Sequence, residues 1–212
     1  MRKPLNTSFG GSRMFTRRYT NFWDGLFRPS KTHTLGSGEV KTLTNLLTNG
    51  DFSNGETGWE FTLNAEVIGG QFITTGGIGL CRQFVAIETG HDIIAICKYN
   101  RSRGGTTFSL TDGTGIYDGR VFAQNLQTDG EWHTGYVRRT VVAGGSTLYF
   151  GSTSVNPVGT AYADDFMLID LTAAFGAGNE PTTGEIENWI ATQSNSWFDT
   201  TAQYLCNTNQ WF

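Results

Sequence analysis

The sequence predicts an all-β fold built as an antiparallel sandwich or barrel. Short runs rich in β-branched and aromatic residues recur from Leu46 onward, and clusters of Gly, Asn, Asp and Ser separate them. Glycine accounts for 28 of the 212 residues, which is far more turn chemistry than a helical bundle carries. Apolar residues make up 38% of the chain, which is enough for one principal core.

Seven strands are expected in order along the body of the chain. They are Gln71–Thr74, Leu80–Ile87, Asp92–Tyr99, Thr106–Thr111, Glu131–Val142, Thr147–Gly151 and Ala161–Leu171. The run 106–111 illustrates the pattern, because Phe108 and Leu110 share one face while Thr107 and Ser109 share the other. Asp-Gly and Gly-Gly pairs between the runs supply the positive φ angles that tight hairpins need.

The last of these strands is apolar on both faces. Strict alternation places Tyr162, Phe166 and Leu168 on one face and Met167 and Ile169 on the other. Both faces therefore need cover, and we expect the second to be sheltered by the C-terminal segment.

A short amphipathic helix is predicted near the C-terminus, from about Thr183 to Gln193. Thr182 and Glu185 form an approximate capping box, and Ile186, Trp189 and Ile190 follow at helical spacing. The segment after this helix is rich in aromatic rings, so we expect it to pack rather than extend into water.

The charge is divided unevenly along the chain. Residues 1–34 hold seven basic residues and one acid, a net +6, whereas residues 35–212 carry −10. Residues 1–40 therefore form a basic arm attached to an acidic body. Arginines and aromatic rings are interleaved in the arm, and its candidate partner-binding residues are Arg13, Phe15, Arg17, Arg18, Tyr19, Phe22, Trp23, Phe27 and Arg28.

This mixture is typical of a docking peptide, because rings can fill a partner's groove while guanidinium groups pair with carboxylates. Two alternatives remain open. The arm could bind nucleic acid, or it could fold back on its own acidic body.

Two stretches resemble a known family. The first, Asn45–Trp59 (NLLTNGDFSNGETGW), resembles the opening strand of carbohydrate-binding-module-like jelly rolls of the family 4, 9 and 22 type. The second, Ala163–Thr182 (ADDFMLIDLTAAFGAGNEPT), resembles the closing strand and tail of the same module in bacteriophage tail and other virion structural proteins. The segment Trp197–Thr201 is similar to a motif that follows in that group but lacks its glycine.

The resemblance implies a jelly-roll β-sandwich over residues 41–175, followed by a helix and apolar tail over 176–212. It also implies a structural component of a bacteriophage virion that binds host glycans weakly and in many copies. Its partners would be other virion proteins of the capsid, neck or tail, further copies of the chain in a homo-oligomer, and a host cell-surface polysaccharide. A membrane or nucleic acid is not expected as a partner. A capsid decoration or neck and tail assembly protein without glycan binding is the alternative, and a small glycan hydrolase is the third.

Glycan binding would need exposed rings and directional donors near hairpin ends. The candidates there are Tyr99, Arg101, Arg103, Tyr117, Arg120 and Phe122. Tyr and Arg are also enriched at protein interfaces, so the same residues suit subunit contacts equally well.

The resemblance further implies a structural calcium where the first and last strands meet. Asp51 and either Asp164 or Asp165 would offer hard oxygen ligands there. The alternative is that these carboxylates only form hydrogen bonds within turns.

Catalysis is not expected. His33, His91 and His133 are far apart, and none stands at metal-ligand spacing. The sequence contains no nucleophile elbow, phosphate-binding loop or dinucleotide fingerprint. Its three cysteines are too widely spaced for a disulfide framework, so free buried thiols are expected.

Overall fold

The protein folds as an antiparallel jelly-roll β-sandwich, which confirms the predicted fold class. The computed structural model describes residues 39–75, 77–102, 105–113, 120–124, 126–152, 159–193 and 197–205. The strands are β1 (Val40–Thr44), β2 (Glu60–Phe61), β3 (Ala65–Ile68), β4 (Gln71–Thr74), β5 (Gly79–Val85), β6 (Asp92–Arg101), β7 (Thr106–Asp112), β8 (Val121–Phe122), β9 (Trp132–Thr140), β10 (Ser146–Ser152), β11 (Ala161–Asp170) and β12 (Thr201–Leu205). The helices are α1 (Leu171–Phe175) and α2 (Thr183–Thr192).

Two five-stranded sheets face each other. Sheet I has the strand order β2-β5-β10-β7-β8, and sheet II has the order β3-β4-β11-β6-β9. The main core fills the space between them, because alternate residues of the central strands point inward. Its fully buried aromatic rings include Phe52, Phe72, Phe108, Phe150 and Phe166.

A second core lies on the outer face of sheet II. Ile94 and Ile96 of β6 and Met167 and Ile169 of β11 point outward and are buried there. Helices α1 and α2 cover them together with a two-stranded ribbon in which β1 pairs with β12. The expectation that the second face of β11 is sheltered by the C-terminal segment is therefore confirmed.

The alternation expected in the last strand is wrong in one respect. A β-bulge lies between Asp164 and Met167, and Asp165 adopts a positive φ of 53°. The extra residue reverses the faces, so Tyr162 lies on the same side as Met167 and not on the side of Phe166. Strict alternation could not have predicted this reversal.

The first resembling stretch wraps the end of the sandwich and contacts β11. The Asn45 side chain donates to the Phe166 carbonyl at 3.1 Å and accepts from the Leu168 amide at 3.0 Å. The Trp59 ring is 7% exposed and packs 5.1 Å from Phe166, centroid to centroid. Trp59 is therefore a ring of the main core and not a platform for a sugar.

The predicted helix is present as α2. The Thr182 hydroxyl accepts from the Glu185 amide, and the Glu185 carboxylate accepts from the Thr182 amide, which completes the capping box. Ile186 and Ile190 are buried against sheet II, while Trp189 is half-buried. Within the described residues, neither helix has the length and apolar character needed to cross a membrane.

Candidate functional site

Five side chains form a continuous line across the outer face of sheet I. Their strands are paired so that Glu60 faces Arg82, Arg82 faces Tyr149, Tyr149 faces Ser109, and Ser109 faces Phe122. We call these five residues the cross-strand row. Strands lie about 4.8 Å apart, so four steps span roughly 19 Å from β2 to β8.

The core on the other side of the sheet determines which way the row points. Cys81, Phe108, Leu110, Leu148 and Phe150 belong to the core between the sheets. Each member of the row on β5, β7 and β10 is the sequence neighbour of one of these inward residues, so it points outward. The row is therefore fixed by the register of sheet I.

One end of the row carries an ion pair. Arg82 Nε donates to Glu60 Oε2 at 2.8 Å, and Arg82 Nη2 contacts the same oxygen. The Arg82 side chain is 32% exposed and that of Glu60 is 70% exposed. The Glu60 carboxylate raises the pKa of Arg82, with a smaller contribution from the Tyr149 hydroxyl, so the guanidinium is charged at any physiological pH.

The other end of the row combines a guanidinium with two rings. The Arg120 guanidinium carbon lies 5.0 Å from the ring centroid of Phe122 and 5.0 Å from that of Tyr149. Arg120 Nε also donates to the Ser109 hydroxyl at 2.7 Å. Phe122 remains 42% exposed, whereas Tyr149 is buried.

The structure divides the predicted glycan-binding residues. Arg120 and Phe122 lie at the row, whereas Arg103 and Tyr117 lie outside the described residues. Tyr99 and Arg101 are placed elsewhere, so their assignment to a sugar surface is corrected below.

Tyr99 is fully buried in the core between the sheets and cannot offer a ring face to a sugar. Its hydroxyl accepts from the Gln127 amide at 2.8 Å. Its position on β6 alternates with Lys98, and the inward side of that strand faces the core. Burial raises the pKa of the Tyr99 hydroxyl.

Arg101 is a structural brace. Its guanidinium donates to the carbonyls of Thr106, Leu126 and Gln127 at 2.5 to 2.7 Å. The residue is 9% exposed, and burial lowers its pKa. Arg101 therefore connects the segment before β9 to the end of β6, and all three of its guanidinium nitrogens donate within the protein.

Sequence reasoning missed Glu60, Arg82 and Tyr149. None of them lies at a predicted hairpin end, where the sequence predicts exposed rings. Only the pairing of β2, β5 and β10 brings them into line with Ser109 and Phe122. Sequence alternation could have assigned each one to an outward face, but it contains no information on register between distant strands.

The three predicted calcium ligands lie near the bulge in β11, where each already has a protein partner. Asp51 accepts from the amide and hydroxyl of Ser53, and Asp164 accepts from the Asp165 amide. Asp165 pairs with Lys98 at 2.5 Å. In the part of the chain that the structure describes, no group of three or more His, Cys, Asp or Glu residues is arranged to hold a metal ion.

Asp164 is nevertheless electrostatically unusual. Its pKa is raised to about 6, chiefly by burial and also by the charges of Asp165 and Asp51, against hydrogen bonds that lower it. Because Lys98 already neutralises Asp165, a cation would be attracted mainly to Asp51 and Asp164. A calcium ion at these two carboxylates stays a prediction, for which they would need backbone oxygens as further ligands.

A cleft of about 440 Å³ lies beside α1 and the β1 strand. In it, His91 Nδ1 is 2.7 Å from Asp170 Oδ2, and Nε2 is 3.3 Å from Glu88 Oε2. Asp170 raises the pKa of His91, with help from Glu88. The other Asp170 oxygen accepts from the Ala173 amide and caps α1, so both carboxylate oxygens have structural roles.

The predicted partner-binding residues between Arg13 and Arg28 lie outside the described residues. Of the cysteines, Cys81 and Cys97 are buried free thiols whose pKa values burial raises, and Cys206 lies outside the described residues.

Known proteins offer comparisons of fold. No protein-family model and no curated protein matches this chain. Among solved structures, a CBM4 structure is 13% identical, with 58% of this chain and 99% of that chain covered at a TM-score of 0.46. A structure of Family 16 Carbohydrate Binding Module-2 is 20% identical, with 59% of this chain and 100% of that chain covered at a TM-score of 0.43.

A bacteriophage structure is also among the similar folds. The enzymatically active domain of tailspike protein 4 of bacteriophage CBA120 is 15% identical, with 58% of this chain and 21% of that chain covered at a TM-score of 0.44. At these identities the similarity is one of fold, and the role of each residue here is argued from this chain alone.

Proposed function

We propose that this chain binds an extended glycan across the outer face of sheet I and breaks no bond in it. The cross-strand row carries the proposal, because the register of the sheet aligns its accessible members Glu60, Arg82 and Phe122 across the five strands, on either side of buried Tyr149 and Ser109. Ring faces pack against the C–H faces of sugars, while guanidinium and carboxylate groups bind hydroxyls in fixed directions. Both ends of the row, Glu60 and Phe122, are exposed.

A glycan array with the full chain tests this proposal, with two aromatic variants for comparison. Phe122→Ala removes the exposed ring of the row, whereas Trp132→Ala removes a ring of similar exposure, 46%, from the edge of sheet II. We expect Phe122→Ala to weaken binding about tenfold, equivalent to ~1.4 kcal/mol, and Trp132→Ala to leave it unchanged. An array without any bound glycan, or equal losses in both variants, would contradict the proposal.

We also propose that the chain is a structural component of a bacteriophage virion. The resemblance of Ala163–Thr182 to bacteriophage tail and other virion structural proteins supports this, as does the basic, aromatic arm over residues 1–40. In this proposal the arm anchors the chain to capsid, neck or tail proteins, and several copies display sheet I outward. A density map of an intact particle that leaves no place for this chain would refute the virion assignment.

An assembly protein without glycan binding is the second candidate. The observation in its favour is the packing of Arg120 between Phe122 and Tyr149, since arginine and aromatic residues are enriched at the centres of protein interfaces. If Phe122 proved to be buried against another virion subunit and the array showed no binding, this candidate would replace the first.

A further inference from the structure

The charge of the cross-strand row indicates which class of glycan it would take. We infer that the row is selective for an anionic glycan, in which carboxylate or phosphate groups along the polymer pair with Arg82 and Arg120. This inference rests on the proposed glycan-binding function and specifies its ligand. Three features of the row support it: its charge relative to the body, the position of its rings, and the ion pair at its edge.

The row differs in charge from the rest of the body. Residues 35–212 carry a net charge of −10, yet the row and the adjoining Arg120 bring two guanidinium groups together with one carboxylate, Glu60. An anionic polymer approaching the acidic body would be repelled at most orientations. It would be attracted where the two arginines lie, so charge favours this face over others.

The rings of the row are placed to support a guanidinium. Tyr149, the central ring, is 1% exposed, and the Arg120 guanidinium lies over it. A neutral sugar that binds mainly by stacking would need that ring face. The flat group over that ring is instead the half-buried Arg120 guanidinium, and a guanidinium can bind two oxygens of a carboxylate or phosphate side by side.

The ion pair at the edge of the row shows that Arg82 can bind a carboxylate. Arg82 already binds one carboxylate, that of Glu60, through Nε and Nη2. Glu60 is 70% exposed, and exposed ion pairs contribute little to stability. A ligand carboxylate can therefore displace Glu60 from Arg82. Glu60 thus competes with the ligand for the same guanidinium.

Two substitutions at this ion pair should shift binding in opposite directions. Glu60→Gln removes the competitor and frees Arg82, so binding of an anionic polymer should strengthen about threefold to tenfold. Arg82→Gln removes the guanidinium and should weaken binding about tenfold. Lys41→Gln is the matched control, because it removes the same charge from β1, where Lys41 pairs with Glu39 outside sheet I.

The experiment is affinity electrophoresis of the full chain in gels containing one polymer at a time. Polygalacturonate supplies carboxylates, polyglycerol phosphate supplies phosphates, and fully methyl-esterified polygalacturonate is the neutral partner of the first. Single-stranded DNA tests whether any polyanion suffices. We expect retardation by one or both anionic glycans, weaker retardation at higher salt, and no retardation by the methyl ester.

The outcomes separate the inference from the function on which it rests. Opposite shifts in Glu60→Gln and Arg82→Gln, with Lys41→Gln unchanged, support the inference. The inference is overturned if only neutral glycans retard the chain, or if neither substitution changes the retardation by anionic glycans. Either result would still support glycan binding. Equal retardation by DNA overturns selectivity for a glycan. Binding to no glycan, neutral or anionic, overturns the proposed function itself.

Discussion

At the scale of single residues, Gly50 lies where the backbone comes so close to β11 that there is no space for a side chain. Its carbonyl accepts from the Phe166 amide at 2.8 Å, and a Cβ at this position would lie 2.1 Å from the Phe166 carbonyl oxygen. We expect Gly50→Ala to lower the free energy of unfolding by about 1–3 kcal/mol, because backbone atoms of β11 would have to move. Urea unfolding measures the change.

Gly184 is the matched control for this substitution. It lies in the first turn of α2, and a Cβ there would meet nothing within 4 Å. Gly184→Ala should raise the free energy of unfolding by up to about 1 kcal/mol, since alanine restricts the unfolded chain and favours the helix. Equal effects of the two substitutions would show that the approach of Gly50 to β11 is not tight in solution.

Asp164 predicts a dependence of stability on pH. Its pKa rises from 3.8 to about 6 on folding, chiefly because of burial, so the folded protein retains a proton that the unfolded chain has lost. The stability that this group contributes is present below about pH 4 and disappears as the pH rises to about 6. Above that range, ionised Asp164 makes the fold less stable.

Asp164→Asn should therefore stabilise the protein at pH 7.5 by about 1 kcal/mol, a figure discounted for the partial exposure of the side chain. The asparagine oxygen can still accept from the Asp165 amide. Thermal melting at pH 4 and 7.5 measures the difference, and added calcium tests the predicted ion, which should stabilise the parent chain but not the variant. A destabilised variant at pH 7.5 without calcium would contradict the burial argument.

At the scale of elements, α2 is expected to be integral to the layer over sheet II. Ile190 is 3% exposed, and Trp189 packs 5.5 Å from Tyr204 and 5.8 Å from Phe198, centroid to centroid. We expect Ile190→Ala to cost about 2–4 kcal/mol and half-buried Trp189→Ala about 2 kcal/mol. Asn188→Ala, on the exposed side of the helix, should be neutral. If all three variants had the same melting temperature as the parent chain, α2 would not be needed for folding of the sandwich.

Some strands could be predicted from the sequence because their signals are local, whereas others depend on pairing with distant segments. All seven predicted strands exist, because β-rich runs and the turns between them are local signals. Five of the described strands were missed: β1, β2, β3, β8 and β12. Strands β2, β3 and β8 have only two to four residues, and β1 and β12 pair with each other across most of the chain. Helix α1 was missed because its start depends on the Asp170 side chain as an N-cap within an apolar run that also suits a strand.

The candidate site was predictable only in part for the same reason. Arg120 and Phe122 were found because ring and arginine residues cluster near β8 in the sequence. Tyr99 was misassigned because its position at a predicted strand end suggested exposure, whereas β6 continues two residues further to Arg101 and keeps Tyr99 in the core. The row itself requires the register of sheet I, which no local pattern contains.

At the scale of the whole molecule, the uneven charge predicts separate roles for arm and body. Deleting residues 1–34 removes a net charge of +6 and should leave the thermal melting of the body unchanged, because the core residues in the part of the chain that the structure describes begin at Leu43. The same deletion should abolish incorporation into particles. Attachment of the full chain should weaken as ionic strength rises, since exposed ion pairs are screened within about 10 Å at 0.1 M salt. Normal incorporation of the shortened chain would refute the anchor.

Display in many copies is the final expectation at this scale. The row is a sheet face with exposed ends, and such a surface buries less of a ligand than an enclosed pocket does, so one copy should bind a glycan weakly. Linked copies convert later contacts into intramolecular ones and can raise avidity about 10²–10⁴-fold without any new contact.

A multimerised form of the full chain should therefore retain glycan under washing conditions that release the single chain. Phe122→Ala should reduce retention more in the multimer than in the monomer, because the loss is multiplied over the linked sites. Equal retention of single and multimerised chains would show that each site is sufficient alone, which would remove the physical reason for displaying this fold in many copies on a particle.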